Sequence, residues 1–484
     1  MTDYQQPLIS PVEWSGLAVS RTTYDAVQDR LSLIRHEDAD YLSCLQRIAF
    51  CVIGSVSNRV ATSRDSIAPI IGVHKSKMYG PLSLTCLISA LTSSIFQGAN
   101  VEAYEIRSKT STVLSDIDST PAWNEIQLIQ KDVRRRFSDL DDPVYLFSGN
   151  SVGDYGLREL QKARNAAVQL TDSPIIRRLQ VYLNGHTKQS MGICDERFED
   201  ARKHIINEYA ADLQPAVFAH LQSIEITPAP RYTTTPTSPR LHSVGNSLQN
   251  VPRPIRRLLG ADWIELDLSA ASLTTAISVY GLEGDAPATW REQGIWKSMY
   301  DATVRTVTFD VFKTVAKDFC TPLLYGRSFG YARQELRKTY LRECGSEIPP
   351  PLYHWFKENI LFSRLAAKTA QRIKDYESGR VIRDTLGGHV SPGLGGKTVQ
   401  HIRIAAREFV LLEPVIDEAI RIRESTQTWK IVLWQHDGFS IHVKSKDPAR
   451  RASIVRGLQT LVKVRGEEIG IPVSLKVDSF PNQK

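Results

Sequence analysis

The run Ala261-Asp-Trp-Ile-Glu-Leu-Asp-Leu-Ser-Ala-Ala-Ser-Leu273 constrains the fold more than any other stretch of this chain. Trp263, Glu265 and Asp267 alternate with Ile264, Leu266 and Leu268, the period of a strand with two differently occupied faces. Ser269 is then placed to cap a helix beginning at Ala270. Asp267 is thereby presented at a strand end, beside backbone opening into a helix. A carboxylate there is a natural magnesium ligand, and equally a plain turn or helix cap. A second run, Ile431-Val-Leu-Trp-Gln-His-Asp-Gly-Phe-Ser-Ile-His-Val443, sets two apolar, β-rich segments around Asp437-Gly438, a pair that favours a tight hairpin.

Between these runs, Lys313, Lys317, Thr321 and Tyr325 recur every four residues and so drift slowly around one helical face. Two ammonium groups one turn apart, with an aromatic ring beyond, suit a triphosphate and the base it carries; a solvated lysine face has the same pattern. Pro322 lies inside this helix, removes a backbone donor and predicts a kink. From Arg231 to Gly260 there are five arginines and no acid. Phosphate contacts need such concentrated cations, and a basic loop in water would also carry them.

The rest of the chain sets bounds. At 484 residues, with 42% hydrophobic and 23% charged residues, it has the composition of a globular protein of two to four domains. Its net charge of +7 makes an anionic partner plausible. The six cysteines are scattered, with no C-x-x-C pair, which argues against a disulfide or zinc framework and for a reducing, cytoplasmic setting. No signal peptide is expected, and Pro81–Phe96 reads as a buried helix too short to span a bilayer, so no membrane partner is expected. Thr120-Pro121 predicts the start of an amphipathic helix over Trp123–Leu140. Leu160, Ala163, Ala167 and Leu170, then Ile205, Tyr209, Leu213, Val217 and Leu221, predict two long helices. The Pro- and Thr-rich segment Thr227–Pro239 cannot continue a helix and predicts a boundary.

Strand-Asp, Lys-helix-Tyr-Gly and hairpin His-Asp, in that order, resemble the motifs of family A polymerases. That group contains bacterial DNA polymerase I and, more distantly, the single-subunit phage and mitochondrial RNA polymerases. The eight positions from Lys317 to Tyr325 match the interval of the family's fingers helix. Pro239-Arg-Leu-His-Ser243 followed by Ser247-Leu-Gln-Asn-Val-Pro252 is similar to the "GRL…LQNIP" segment of the DNA polymerases. The resemblance covers Arg231–Lys484, about half the chain.

It implies an α+β right-hand polymerase: a palm with an antiparallel sheet, helical fingers and a helical thumb, behind a mostly helical N-terminal region. The corresponding segments are 1–150 (role unknown), 151–230 (thumb), 231–283 (palm with the first aspartate), 284–391 (fingers) and 392–484 (palm with the second). Asp267 and Asp437 would bind two Mg2+ ions, or Mn2+, for in-line displacement at an α-phosphate. Lys317 would neutralise the triphosphate, with Lys313 standing where the family usually has Arg. Thr321 and Tyr325 would complete the nucleotide-binding face, and His436 would lie near the primer terminus. Arg240, Gln249 and Asn250 would touch the duplex of a primed template. Ser272 holds the place of the sugar-excluding Glu of DNA polymerases, leaving room for a ribose hydroxyl, and Gly438 replaces a frequent acid; both lean toward RNA polymerases. The short intervals, 50 residues from Asp267 to Lys317 and 120 from Lys317 to Asp437, lean toward DNA polymerases. The implied function is primer-dependent DNA synthesis without 3′→5′ proofreading. An RNA polymerase or primase using ribonucleotides, and a non-catalytic nucleic-acid-binding protein on the same scaffold, are the alternatives. The compact size hints at a phage or plasmid source.

Overall fold

The computed structural model describes residues 17–54, 59–62, 71, 78–106, 109–147, 149–168, 170–211, 213–235, 238–303, 305–378, 394–435 and 437–479. The chain forms two compact units, each built from three segments: 1–168, 186–231 and 243–261 in the first, 169–185, 232–242 and 262–484 in the second. Segment 151–230, expected to be one helical thumb, is thus divided, because 169–185 packs with the second unit.

The first unit is mostly helical, with a three-stranded antiparallel sheet (residues 59–62, 109–115 and 100–106) and a strand pair, Ala18–Val19 with Val144–Tyr145. The helix expected over Trp123–Leu140 buries Ile126, Ile129 and Val133 but ends at Arg134, and Phe137–Asp139 forms a separate 3₁₀ turn. Thr120 does not cap it, since its hydroxyl donates to the Ile117 carbonyl. The long pattern through Ile205 and Leu221 is two helices, Asp195–Glu208 and Gln214–Ile226, the second opened by Pro215 in its first turn. That second helix is buried nearly all round, and its Gln222 and His220 side chains bond backbone. Gln222 bonds both the N–H and the carbonyl of Ala18, at 3.3 and 2.8 Å. His220 Nε2 lies 3.0 Å from the Ser247 carbonyl, and burial pushes its pKa down to about 4.

The second unit contains α1 (Pro174–Asn184), β1 (Tyr232–Thr235), β2 (Ser238–Ser243), β3 (Trp263–Leu268), α2 (Ala271–Tyr280), α3 (Phe309–Leu324), α4 (Phe329–Cys344), α5 (Pro350–Glu358), α6 (Ile360–Glu377), α7 (Gly396–Glu424), β4 (Trp429–Gln435), β5 (Gly438–Val443), α8 (Pro448–Glu468) and β6 (Leu475–Ser479). The Pro- and Thr-rich boundary segment is therefore no plain linker: it supplies the antiparallel pair β1–β2. A four-stranded antiparallel sheet runs β6-β3-β5-β4. Its alternating apolar side chains pack with α1, α7 and α8 into one core, where Phe409, Trp434 and Phe439 stack at centroid distances of 5.5 and 5.9 Å. The Tyr232 hydroxyl accepts from the Trp434 N–H at 2.9 Å and so ties β1 to β4. A second core lies among α2 to α6, where Phe312, Phe319, Phe356 and Phe362 are all fully buried. Among the described residues no helix is long and apolar enough to cross a membrane.

Candidate active site

β3 and β5 are antiparallel neighbours in a register that sets Gly438 directly opposite Asp267. The Leu268 N–H donates to the Asp437 carbonyl at 3.0 Å, so Asp437 lies at the same end of the sheet as Asp267. The hairpin expected around Asp437-Gly438 is present with a shifted turn. Gly438 pairs with Gln435, which leaves residues 436 and 437 as the two-residue loop. His436 lies outside the described residues. Glycine is needed at 438 for close approach: a Cβ there would sit 2.7 Å from the Leu266 carbonyl oxygen and 2.9 Å from an Asp267 carboxylate oxygen. On the other side of β3, Lys476 of β6 stands opposite Asp267. Burial lowers the Lys476 pKa, the charge of Lys313 lowers it further and Asp267 opposes both, so an ammonium of the α3 face reaches this edge of the site.

The turn after Asp267 differs from the expected cap. Ser269 donates its backbone N–H to Ser474, Ala270 adopts a left-handed conformation (φ 53°), and α2 begins at Ala271 without a side-chain cap. One turn into α2, the Ser272 hydroxyl donates to Glu408 of α7 at 3.0 Å. Glu408 is only 1% exposed and receives a forked bond from Arg240 of β2, with contacts of 2.9, 3.0 and 3.2 Å. Burial lifts its carboxyl to about 7; Arg240 pulls it down, while the Asp437 charge pushes it up. Tyr325, just past α3, bonds Ser272, senses Arg240, Glu408 and Asp437, and has its phenol pKa raised by burial. Sequence reasoning missed Glu408. Its carboxylate accepts the Ser272 hydroxyl and so lies directly beside that side chain.

The α3 face forms as its spacing predicts. Thr308 caps the helix, Phe312, Val315, Ala316, Phe319 and Cys320 are buried, and Lys313, Lys317 and Thr321 are exposed. The helix runs on through Pro322 to Leu324, and Gly326 (φ 74°) turns the chain away. Thr321 spends its hydroxyl on the Lys317 carbonyl at 2.8 Å. Lys317 shares the exposed face with Lys313, but no contact ties it to the aspartates. Gln249 and Asn250 belong to the first unit: Gln249 accepts from the Ser243 N–H at 2.6 Å, and Asn250 donates to the Ser243 hydroxyl at 3.1 Å. Both hold a local loop of that unit. The structure therefore gathers Asp267, Asp437, Ser272, Tyr325, Arg240 and Lys313 within one unit.

Among the described residues no group of three or more His, Cys, Asp or Glu is arranged to hold a metal ion. A carboxylate on β3 and one in the loop that leads into β5 would suit magnesium, which takes one or two carboxylates and completes its shell with water and substrate phosphates.

No protein-family model matches the chain, and no curated protein matches it in sequence. Among solved structures it is similar to the POL domain of Pol1 from M. smegmatis, in complex with DNA primer-template and dNTP, at 13% identity. That match covers 75% of this chain and 74% of the other with a TM-score of 0.38, too slight a likeness to argue from.

Proposed function

We propose that this chain is a template-directed nucleotidyltransferase that extends a primed nucleic-acid template with deoxynucleoside triphosphates, without proofreading. The observation that carries this reading is the register placing Gly438 opposite Asp267, which brings Asp437, one residue before Gly438, to the same end of the sheet as Asp267.

Asp267 and Asp437 supply carboxylate oxygens at one end of the sheet. Two magnesium ions bound there would activate the primer 3′-hydroxyl and stabilise the departing pyrophosphate. Lys313 and Lys317 set ammonium charge against the triphosphate, and Lys476 adds a third cation beside Asp267. Tyr325 offers a ring to the nascent base pair from a position held by Ser272. Glu408 fastens Arg240 and Ser272 together and so keeps the floor of the site in one arrangement. A buried carboxylate beside Ser272 favours deoxyribonucleotides, whereas the small Ser272 side chain itself favours the second reading, an RNA polymerase or primase.

The test is primer extension on DNA and RNA templates with deoxy- or ribonucleoside triphosphates and magnesium. Extension by the wild type with deoxynucleotides is expected, with none from Asp267→Asn or Asp437→Asn and no removal of a mismatched primer end. Equal use of ribonucleotides selects the second reading. Tight duplex binding with no incorporation in any combination, or full activity in either Asn variant, overturns the proposal.

A further inference from the structure

A separate cavity of about 260 Å³ opens in the second unit among α2, α6, α7 and the segment after α8. Three guanidinium groups line it, Arg372 of α6 with Arg403 and Arg407 of α7, and among the described residues no carboxylate does. Arg372 and Arg407 make no ion pair among the described residues. Two aromatic side chains flank them. Arg403 lies over the Tyr376 ring at 5.6 Å, and the Tyr280 hydroxyl accepts from the Gln400 amide, which also reaches the Leu324 carbonyl at 3.4 Å.

Arg372 and Arg407, two cations at one cavity wall, repel each other unless an anion joins them. Arg407 registers this: burial lowers its pKa, and the neighbouring charges of Arg403 and Arg372 lower it further. A single carboxylate would leave half of the charge on Arg372 and Arg407 uncompensated. A phosphate group carries more charge, spread over several oxygens, and guanidinium forks match it two bonds at a time. The cavity exceeds the volume of one phosphate, and its tyrosines provide flat walls for whatever the phosphate is attached to.

We propose that this cavity is a phosphate-binding site, taking either a free phosphate monoester or a phosphodiester of a nucleic-acid strand. Neither aspartate lines it, and it does not depend on the polymerase reading. The site recognises charge and shape, so it binds without divalent metal.

The experiment uses the full chain in EDTA, which silences metal-dependent triphosphate binding at the aspartates. Inorganic phosphate and dAMP are titrated by calorimetry, and a fluorescein-labelled 12-residue oligothymidylate without terminal phosphate is followed by anisotropy. At least one probe should bind, and Arg372→Gln and Arg407→Gln should each weaken it about tenfold, since a hydrogen bond to a charged group is worth roughly that much. Arg407→Lys should restore part of the loss, and Lys357→Ala, at an exposed lysine of α5, should leave binding unchanged. Loss confined to the oligonucleotide identifies the strand backbone as the source, with a salt dependence about one ion shallower per arginine. Loss confined to phosphate and dAMP identifies the free monoester. Arg372 is exposed, so its replacement tests the site even if Arg407→Gln disturbs folding. The proposal is overturned if no probe binds the wild type, or if both arginine variants bind as well as it does.

Discussion

Replacing Glu408 with alanine probes the arrangement on which the candidate site rests. The carboxylate is 1% exposed, its partner Arg240 has a side chain 17% exposed, and the two share three contacts between 2.9 and 3.2 Å. Truncation takes from the guanidinium its bonded counter-charge, leaving only the through-space charge of Asp437, and takes the acceptor from the Ser272 hydroxyl. Breaking a buried pair from one side costs roughly 3–5 kcal/mol, because the surviving charge keeps its desolvation penalty. Removing both charges avoids that penalty, so Arg240→Met with Glu408→Leu should recover most of the loss, giving a coupling of up to about 3 kcal/mol. Urea denaturation followed by tryptophan fluorescence measures this. Six of the eight tryptophans, Trp263, Trp290, Trp296, Trp355, Trp429 and Trp434, belong to the second unit, so the signal comes mainly from the part that contains the pair. A cost below about 1 kcal/mol for Glu408→Ala, or single losses that simply add in the double variant, would refute the reasoning.

Gly438→Ala forces a methyl group against the Leu266 carbonyl and the Asp267 carboxylate, which should cost about 1–3 kcal/mol and at least tenfold in nucleotide incorporation. Gly457→Ala, in α8 with open space around it, is the matched control and should stabilise by roughly 0.5–1 kcal/mol; equal urea midpoints for the two variants would show that crowding at 438 is unimportant. The buried His220 has a folded pKa near 4, below the unfolded value near 6.5. Its contribution is therefore intact above pH 6.5 and lost as pH falls, amounting to roughly 3 kcal/mol by pH 4. His220→Gln should flatten that part of the acid-denaturation profile, and an unchanged slope would remove His220 as its cause.

What could be read from sequence, and what could not, follows from the range of the interactions. β3 and the β4–β5 hairpin were legible because a strand's period of two is written in neighbouring residues, and the α3 face because four-residue spacing is equally local. The meeting of Asp267 and Asp437 had to be borrowed from a resemblance, since register between distant strands leaves no local trace. Glu408 was invisible for a related reason. It sits in Ala405-Ala-Arg-Glu-Phe-Val410, where a charged residue looks like the wet side of an amphipathic helix, and its partner Arg240 is far away in sequence. Ser269 failed as a cap because the left-handed turn at Ala270 lets β6 take its backbone donor, a tertiary choice that propensity does not encode. The boundary read in the Thr- and Pro-rich stretch after Ile226 coincides with the change of unit between Arg231 and Tyr232, but the anchoring of Tyr232 to β4 is a long-range contact with no local trace.

The pairing of β3 with β5 also dictates when the site can come into being. The β4–β5 hairpin closes a two-residue loop and can form within microseconds, whereas joining it to β3 encloses about 170 residues and the whole helical layer of α2 to α7. The two aspartates therefore become neighbours only in a late, non-local step of folding, after the intervening helices have condensed enough to shorten the search. A partly folded chain, however rich in helix, holds its two carboxylates as strangers.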